Sequence, residues 1–343
     1  MIPKSSIYSS FREDLLDFYP SGVRTKVKSI QNCYSWMSEN GCNIVDASSP
    51  GIIIIEAHKI SFASMWLNEV ENLINHCLEH LRELLINTAT RDKRSDAWQV
   101  VTVYYYGFFA AECLLRLLGR PITYFDDSMV LLLKSIAPVA NKITGGSYLI
   151  EKTKDISITT GEYRLKRQNK RNHEAVWLQL FDIISKKIAL ASPKTASTEI
   201  DLYTMFSSPI MKNLYKRVEW PSIVRSNANY KPGFAYRSVF QESTAKTYGL
   251  IEQWRNLSSE NVQTQFNNSI SSCSASDLTE FDKHVKYLHD ISHLIFIMAR
   301  ELYGELKDRR SSIDKRWELS RSEFCKSIGT KRNDYALLLH TYN

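Results

Sequence analysis

The chain has 343 residues, of which 43% are hydrophobic and 24% are charged, and this balance is typical of a globular protein with a sizeable core. Its six cysteines form no CxxC pair, so the sequence contains neither a disulfide framework nor a common zinc spacing. The N-terminus lacks an apolar stretch of signal-peptide length, which predicts a cytoplasmic protein.

The positive charge is concentrated in the middle of the chain. The whole chain carries a net charge of +7, while residues 151–240 contain 16 Lys and Arg against 8 Asp and Glu. We therefore expect an anionic partner to bind this middle region. The alternative is a solvated basic surface on a protein that binds no polyanion.

The first 55 residues have no clear pattern. Short apolar groups are mixed with Ser, Asn and Gly, and the turn signal Ser48-Ser49-Pro50-Gly51 closes the segment. The run from Ile52 to Ile55 fits either a short buried strand or the lead into a helix. Residues 1–55 are therefore an N-terminal segment whose structure the sequence does not define.

An amphipathic helix is predicted from about residue 60 to residue 87. Its apolar residues recur at steps of three and four, while Asn and Glu fill the opposite face. The apolar positions are Ala63, Trp66, Val70, Leu73, Cys77, Leu81 and Leu84. This stripe indicates that one face of the helix packs against the core.

A second helix is predicted from about residue 95 to residue 118. It follows a polar stretch, and Ser95 or Asp96 stands where an N-cap would accept the free backbone N–H groups. The short connection predicts an antiparallel helix hairpin. Because the second helix is apolar on nearly every side, later helices must cover it on several faces.

The second helix is also the stretch of the sequence that most resembles a membrane span. Four polar residues interrupt it: Gln99, Thr102, Glu112 and Arg116. A buried core helix therefore explains it better, and no membrane contact is expected.

Gly107 allows another backbone to approach closely, which predicts the packing centre there. Gly119 then ends the helix as a C-cap.

The remainder of the chain adds a small β element and further helices. Alternation at period two around a Thr160-Gly161-Glu162 turn predicts a β-hairpin near residues 147–165. Helical spacing returns in three later segments: residues 172–190, residues 199–218, and Ser276 to about Asp308. A basic C-terminal helical extension is predicted after them.

The predicted fold class is mostly α. A helical bundle surrounds the long antiparallel helix pair, with a small inserted β-hairpin. The N-terminal segment covers residues 1–55, the helical domain covers residues 56–308, and the basic extension covers residues 309–343. The helix pair is expected to be scaffold, with function on the helices that cover it.

Two histidine pairs have a spacing that could hold a metal ion. His76 and His80, like His289 and His293, are four residues apart on predicted helices, which places both rings of a pair on one face. Zinc needs further ligands, and neither pair has the glutamate of the metalloprotease pattern. We therefore expect structural imidazoles and no metal.

The sequence also lacks a GxxxxGK[ST] loop and a GxGxxG motif, so no cofactor is expected.

Basic residues cluster at the end of the predicted hairpin. The stretch Arg164-Leu165-Lys166-Arg167-Gln168-Asn169-Lys170-Arg171-Asn172-His173 places five positive charges in eight residues ahead of a helix. Charge and a helix N-terminus together favour phosphate binding. The candidate ligands are Arg167, Lys170, Arg171 and His173. The alternative is a solvated loop that keeps the hairpin soluble.

A second arginine-centred stretch runs from Trp220 to Gly233. On a helix that starts at Pro221, two candidate residues share a face and a third lies one position further round: Arg225, Asn229 and Tyr230. The guanidinium could bind the non-bridging oxygens of a phosphodiester, while the amide and the phenol hydrogen-bond a sugar hydroxyl or the leaving oxygen. Lys231 adds positive charge beside them. The alternative is an arginine that pairs locally with Glu219.

These features resemble the HEPN superfamily, the helical domains of bacterial toxins, antiviral defence proteins and RNA-processing factors. The segment from Trp98 to Gly119, with Val-Tyr-Tyr-Tyr-Gly-Phe-Phe-Ala-Ala-Glu-Cys-Leu-Leu-Arg-Leu-Leu-Gly inside it, is similar to a core helix of that fold. Family ribonucleases carry an Arg, usually followed by a polar residue, with a His four to six residues on. Arg225, Ser226 and Tyr230 match this spacing, with Tyr in the place of His. The stretch from Arg167 to His173 has a literal Arg and His and ranks second.

The resemblance, which spans about residues 60–306, implies metal-independent RNA cleavage in a homodimer whose two motifs form a composite site. The ribose 2′-OH would attack the adjacent phosphate while Arg225 stabilises the developing charge. A tyrosine with an ordinary pKa of about 10 is a poor proton acceptor at neutral pH, so Tyr230 favours binding over catalysis.

The function predicted on this basis is that of an RNA-binding endoribonuclease of a bacterial toxin or antiviral defence system, with a cognate protein partner. The same resemblance makes the basic residues Arg167, Lys170, Arg171, His173 and Lys231 candidate RNA ligands. The alternative is a non-catalytic helical interaction or nucleic-acid-binding subunit of a larger complex.

Overall fold

A computed structural model of the chain describes residues 9–25, 32–87, 96–137, 142–190, 219–231, 280–309, 311–312, 321 and 323. The helices in these ranges are α1 (Ser9–Phe18), α2 (Cys33–Ser38), α3 (Lys59–Asn87), α4 (Asp96–Leu117), α5 (Asp127–Ile136), α6 (Asn172–Leu190), α7 (Trp220–Tyr230) and α8 (Glu280–Arg309). The strands are β1 (Val23–Arg24), β2 (Cys42–Asp46), β3 (Ile52–His58), β4 (Ile122–Phe125), β5 (Gly146–Asp155), β6 (Thr160–Arg167) and β7 (Ser311–Ser312). The predicted helix at residues 199–218, the Ser276 cap and most of the C-terminal extension lie outside the described residues.

The long helix pair is confirmed, and it is antiparallel. The Arg116 guanidinium near the end of α4 pairs with Glu69 near the start of α3. Further along, the ring of His80 stacks on Tyr105 near the start of α4. Contacts that run in opposite directions along the two helices are those of an antiparallel hairpin.

Helix α4 lies at the centre of the core, as predicted from its apolar residues on nearly every side. An 18-residue window within Ala97–Leu117 is long and apolar enough to cross a membrane, but 83% of that window is buried inside the protein. Helices α3, α6, α7 and α8 all pack against it. This burial identifies α4 as the core helix of the fold.

Gly107 is the point of closest approach between α4 and α8. A Cβ added at this position would lie 3.1 Å from the Ser292 Cα atom, so a larger residue would push the helices apart. The end of α4 is also as predicted. Gly119 has a φ of 67°, a left-handed conformation that glycine adopts without a steric cost, and its N–H donates to the Arg116 carbonyl.

The prediction of a mostly α fold with a small inserted hairpin is wrong. The structure contains a five-stranded antiparallel sheet in the order β2-β3-β6-β5-β4. Among the described residues 65% are helical and 18% lie in strands, so the fold mixes helices with a sheet. The hairpin of β5 and β6 occupies the predicted position, but it is part of this sheet.

Strand β3 explains why the sheet escaped the sequence pattern. Its residues are buried alternately, with Ile53 and Ile55 inside, but the flanking positions Ile52 and Ile54 are also apolar, which hides the period of two. Its partner is distant in sequence, because Ile52 pairs with Lys166 of β6. Strands β2 and β4, with five and four residues, are too short to show a period of their own.

The sheet and the helices together bring two distant segments to α4. Strand β6 ends at Arg167 and α6 begins at Asn172, so the position of β6 in the sheet sets where α6 starts beside α4. Helix α7 buries Trp220, Val224 and Ala228, which lie four residues apart on one face. Both segments pack on α4.

Candidate functional site

A cluster of polar side chains lies where α4, α6 and α7 meet. At its centre, the Tyr104 hydroxyl hydrogen-bonds with His173 Nδ1 at 2.8 Å and with Ser222 Oγ at 3.2 Å. The indole N–H of Trp177 donates to the same hydroxyl at 3.4 Å. The Arg225 cluster is defined here as Tyr104, Tyr105, His173, Ser222 and Arg225.

Two tyrosines of α4 hold the Arg225 guanidinium. Its Nη2 donates to the Tyr105 hydroxyl at 3.2 Å, and its Cζ lies 5.8 Å from the ring centres of both Tyr104 and Tyr105. A guanidinium over aromatic rings is stabilised by the ring quadrupole. The Arg225 Nε–H is buried and has no hydrogen-bond partner within the described residues. An oxygen acceptor that entered the cluster would find this N–H without a partner among the described residues.

His173 is neutral at physiological pH. Burial and the nearby positive charge of Arg225 lower its pKa to about 4 from the usual 6.5. When Nδ1–H donates to Tyr104, the other ring nitrogen carries the lone pair that accepts a proton. The cluster therefore combines a fixed positive charge with an uncharged imidazole.

Tyr104 is the fixed centre of the cluster. Its ring is fully buried, and burial raises its pKa to about 12, so the phenol stays protonated. A buried phenol with three hydrogen-bonding neighbours orients each of them. Tyr104 is therefore a positioning residue for His173 and Ser222.

Four stacked rings continue from the cluster along the α3–α4 groove. The ring stack is defined as His76, Phe109, His80 and Tyr105. Successive rings alternate between the two helices and lie 5.0, 5.5 and 5.9 Å apart with interplanar angles of 26°, 19° and 16°. The His76 side chain at its outer end is 53% exposed. The stack therefore links the solvent edge of the groove to Arg225.

Of the three predicted catalytic residues of α7, Tyr230 lies on a different side of the helix from Arg225. Positions 225 and 230 are about 140° apart around a helix, and the Tyr230 side chain is 78% exposed while Arg225 faces α4. Asn229 is half-buried. His173, from the other basic stretch, shares its partner Tyr104 with Arg225, and the Arg225 charge lowers the pKa of His173.

The remaining predicted RNA ligands are spread around the cluster. Arg167 lies on the sheet, where its Nε donates to the Gly145 carbonyl at 3.1 Å. Lys170 lies 3.8 Å from the carboxylates of both Glu174 and Glu219. Arg171 is exposed at the start of α6. Lys231 is exposed just after α7 and is one cause of the lowered pKa of His284.

The histidine pairs sit in different surroundings. His293 is buried, hydrogen-bonds with the Tyr106 hydroxyl at 3.0 Å and has a pKa well below its usual value because of burial. His76 and His80 belong to the ring stack. Within the part of the chain that the structure describes, no three His, Cys, Asp or Glu side chains are grouped closely enough to hold a metal ion.

A second polar cluster occupies the other half of α4. The Arg116 cluster is defined as Glu69, Glu112 and Arg116. Arg116 Nε donates to Glu69 at 2.9 Å, Nη1 donates to the Glu112 carbonyl at 3.2 Å, and Nη2 donates to the Ile122 carbonyl at 3.3 Å. Burial raises the pKa of Glu112, against the opposing effect of the Arg116 charge. Each guanidinium nitrogen of Arg116 therefore donates to an acceptor of the protein, and we call such a cluster closed.

Sequence reasoning missed the tyrosines of α4, which it assigned to scaffold. The signal that could have identified them is the run Tyr104-Tyr105-Tyr106 in an otherwise apolar helix. Buried phenols need hydrogen-bond partners, so three in succession point to polar groups on neighbouring helices. Ser222 and Trp177 gave no comparable signal.

The chain was compared with protein-family models, with curated proteins and with solved structures, and none of them matches it.

Proposed function

We propose that this chain is a HEPN-like, RNA-directed protein of a bacterial toxin or antiviral defence system, which acts in the cytoplasm and cleaves RNA without a metal ion. The observation that carries the proposal is the convergence of Arg225, His173 and Tyr104 from three helices. Cleavage by the ribose 2′-OH needs a positive charge at the phosphate and a group that accepts a proton. The cluster contains both.

Arg225 is the group that binds the phosphate in this proposal. Its guanidinium is oriented by Tyr105, and its Nε–H, which has no partner among the described residues, can donate to a non-bridging oxygen. These oxygens gain negative charge as the 2′-oxygen bonds to phosphorus. The interaction is therefore stronger in the transition state than in the ground state, which is the condition for catalysis.

His173 is the proton acceptor. The 2′-OH proton moves to the imidazole, the bond between the 2′-oxygen and phosphorus forms, and the bond from phosphorus to the 5′-oxygen breaks. The 5′-oxygen then takes a proton from water, and the imidazolium returns its proton to the hydroxide left behind, so that the products are a 2′,3′-cyclic phosphate and a 5′-hydroxyl. A bound phosphate offsets the charge of Arg225, so it raises the pKa of His173 from its resting value of about 4.

One observation favours a second candidate, a nucleic-acid-binding module without catalysis. A histidine with a pKa of about 4 is a weak base at neutral pH. In this reading the Arg225 cluster and the exposed Lys231 bind the RNA backbone, and a larger complex supplies the remaining activity.

The test compares the full-length protein with three variants on total RNA in the presence of EDTA. Arg225→Ala and His173→Ala are each expected to reduce cleavage about 100-fold or more, the scale seen when a single transition-state donor or base is removed. Arg167→Ala is the matched control, because Arg167 lies on the sheet and bonds Gly145. Its cleavage rate is expected to stay within about threefold of the wild-type rate.

Each other outcome has a defined meaning. Cleavage that persists in Arg225→Ala contradicts the site, and cleavage that disappears in EDTA contradicts a metal-independent reaction. Binding without cleavage, with an affinity that falls steeply as salt increases, supports the binding module. Sedimentation at working concentration tests the homodimer, because a monomer that cleaves RNA at full rate excludes a composite site.

A further inference from the structure

The ring stack has a geometry that the Arg225 chemistry does not use. Its members are almost parallel, with interplanar angles of 16° to 26° between neighbours. Ring centres 5.0 to 5.9 Å apart describe an offset arrangement and not a face-to-face sandwich. Tyr105 and Phe109 are only partly buried, and His76 is half-exposed.

The charges along the stack differ at its two ends. Tyr105 at the inner end touches the Arg225 guanidinium. At the outer end, His76 lies 3.5 Å from the Glu79 carboxylate. A phosphate is therefore attracted at Arg225 and repelled near Glu79, while an uncharged aromatic group is accepted along the whole length.

The imidazoles of the stack are suited to flat, uncharged ligands. Burial and the neighbouring His76 lower the pKa of His80, so its ring is neutral at physiological pH. A neutral imidazole presents its π face without an added charge. Together with Phe109 and Tyr105 it forms an aromatic surface of the kind on which nucleobases stack.

We propose that the ring stack is a base-binding subsite, on which the unpaired bases of the nucleotides next to the phosphate held by Arg225 stack. The inference rests on the proposed function and adds to it the residues that hold the bases. Base faces in a duplex are covered by their neighbours and cannot stack on protein rings. We therefore expect the groove to bind a single strand and not a duplex.

The test measures the dissociation constant of the full-length protein for a 2′-fluoro RNA strand, which the 2′-OH mechanism cannot cleave. The strand is compared with its duplex, and the variants are Phe109→Leu and His76→Ala. Each variant is expected to weaken single-strand binding roughly 5- to 100-fold, the range for loss of one base–aromatic contact. Duplex binding is expected to be weak and unchanged by either variant.

Matched controls separate stacking from general damage to the fold. Phe181→Leu makes the same change at a partly buried phenylalanine of α6, and His58→Ala makes the same change at an exposed histidine at the end of β3. Neither residue belongs to the ring stack, so both variants are expected to bind the strand like the wild-type protein. A control that weakens binding as much as Phe109→Leu overturns the proposal.

Failure of this inference is distinguishable from failure of the proposed function. If Phe109→Leu and His76→Ala bind the strand normally while Arg225→Ala abolishes RNA cleavage, the base subsite is wrong and the ribonuclease site stands. If both variants weaken binding but natural RNA is not cleaved, the subsite stands and catalysis is wrong. If the wild-type protein binds no single strand, both are wrong. A change of oligomeric state in Phe109→Leu without a change in affinity assigns the ring stack to an interface between copies of this chain, which also overturns the subsite.

Discussion

Helix α4 carries two polar clusters, and they differ in how completely their hydrogen bonds are satisfied. In the Arg116 cluster the three guanidinium nitrogens of Arg116 all donate to acceptors of the protein. In the Arg225 cluster the buried Nε–H of Arg225 has no partner within the described residues. A closed cluster contributes to the fold, while an open one retains capacity for a ligand.

The two clusters also differ in the surroundings of their charges. Arg116 has the carboxylates of Glu69 and Glu112 beside it, so its charge is compensated. Arg225 has phenols and a neutral imidazole beside it, so its charge is available to an anion. Asn172 lies between the clusters, since it donates to Glu112 and precedes His173. Burial of an arginine alone therefore does not distinguish a structural site from a functional one, and the charges and hydrogen-bond acceptors around it must also be considered.

The largest expected effect is in the closed cluster. Arg116→Met removes the charge that pairs with both Glu69 and Glu112 and leaves their carboxylates largely buried without it. The free energy of unfolding should fall by about 3–5 kcal/mol, the usual cost of breaking a buried ion pair from one side. Urea denaturation followed by circular dichroism measures it, with the exposed Glu79→Ala as control. A loss below about 1 kcal/mol would show that the cluster is not structural.

The next effect concerns the buried phenol of the open cluster. Tyr104→Phe removes a hydroxyl that hydrogen-bonds with His173 and Ser222. The free energy of unfolding should fall by about 1–2 kcal/mol, because three polar groups, the third being the Trp177 indole N–H, lose a buried partner. The matched variant is Tyr124→Phe, whose side chain is 59% exposed and whose loss should be close to zero. Equal effects in the two variants would contradict the positioning role of Tyr104.

A smaller effect on stability distinguishes Arg225 from Arg116. Arg225→Met removes a charge that stacks on Tyr104 and Tyr105 but pairs with no carboxylate among the described residues. The free energy of unfolding should change by no more than about 1 kcal/mol, the scale of a cation–π contact at a partly exposed site. RNA binding, measured by fluorescence anisotropy on the same preparation, should nevertheless be lost. A destabilisation as large as that of Arg116→Met would make the two clusters equivalent.

The smallest effect is a change in the protonation of His173. Burial is the larger cause of its low pKa and the Arg225 charge is the second. In Arg225→Met the pKa should therefore rise above about 4 and remain below the usual value of about 6.5. Titration of the imidazole resonances by NMR measures this. His293 is an internal reference, because its lowered pKa is caused by burial first and then by the nearby His289 and Arg300.

The same titration fixes the direction of the pH effect on stability. Between about pH 4 and 6.5 the unfolded chain holds a proton on His173 that the folded chain does not hold. Protonation then favours the unfolded state, so the free energy of unfolding falls as the pH decreases through this window. In Arg225→Met the window narrows, and the acid-induced loss of stability should be smaller. An unchanged pH dependence together with an unchanged pKa would show that Arg225 does not act on His173.

The helices were predictable because their signals are local. The stripe of α3, the apolar girth of α4 and the glycines at positions 107 and 119 each act within a few residues of the chain. The sheet was not predictable, because β3 pairs with β6 across more than a hundred residues and its isoleucine run conceals the alternation.

Local sequence patterns are therefore enough to predict the core helix pair, the helix at Trp220–Tyr230 and the two basic stretches that carry His173 and Arg225. Which of these residues lie close together depends on the tertiary structure. Neighbours on one helix are set by a period of 3.6 residues, which sends Tyr230 to solvent and Arg225 to α4. The proximity of Arg225 and His173 depends instead on where β6 ends and α6 begins, and on the tyrosines of α4, which contact both side chains. Contacts between segments far apart in sequence are fixed by packing, and no local pattern encodes them.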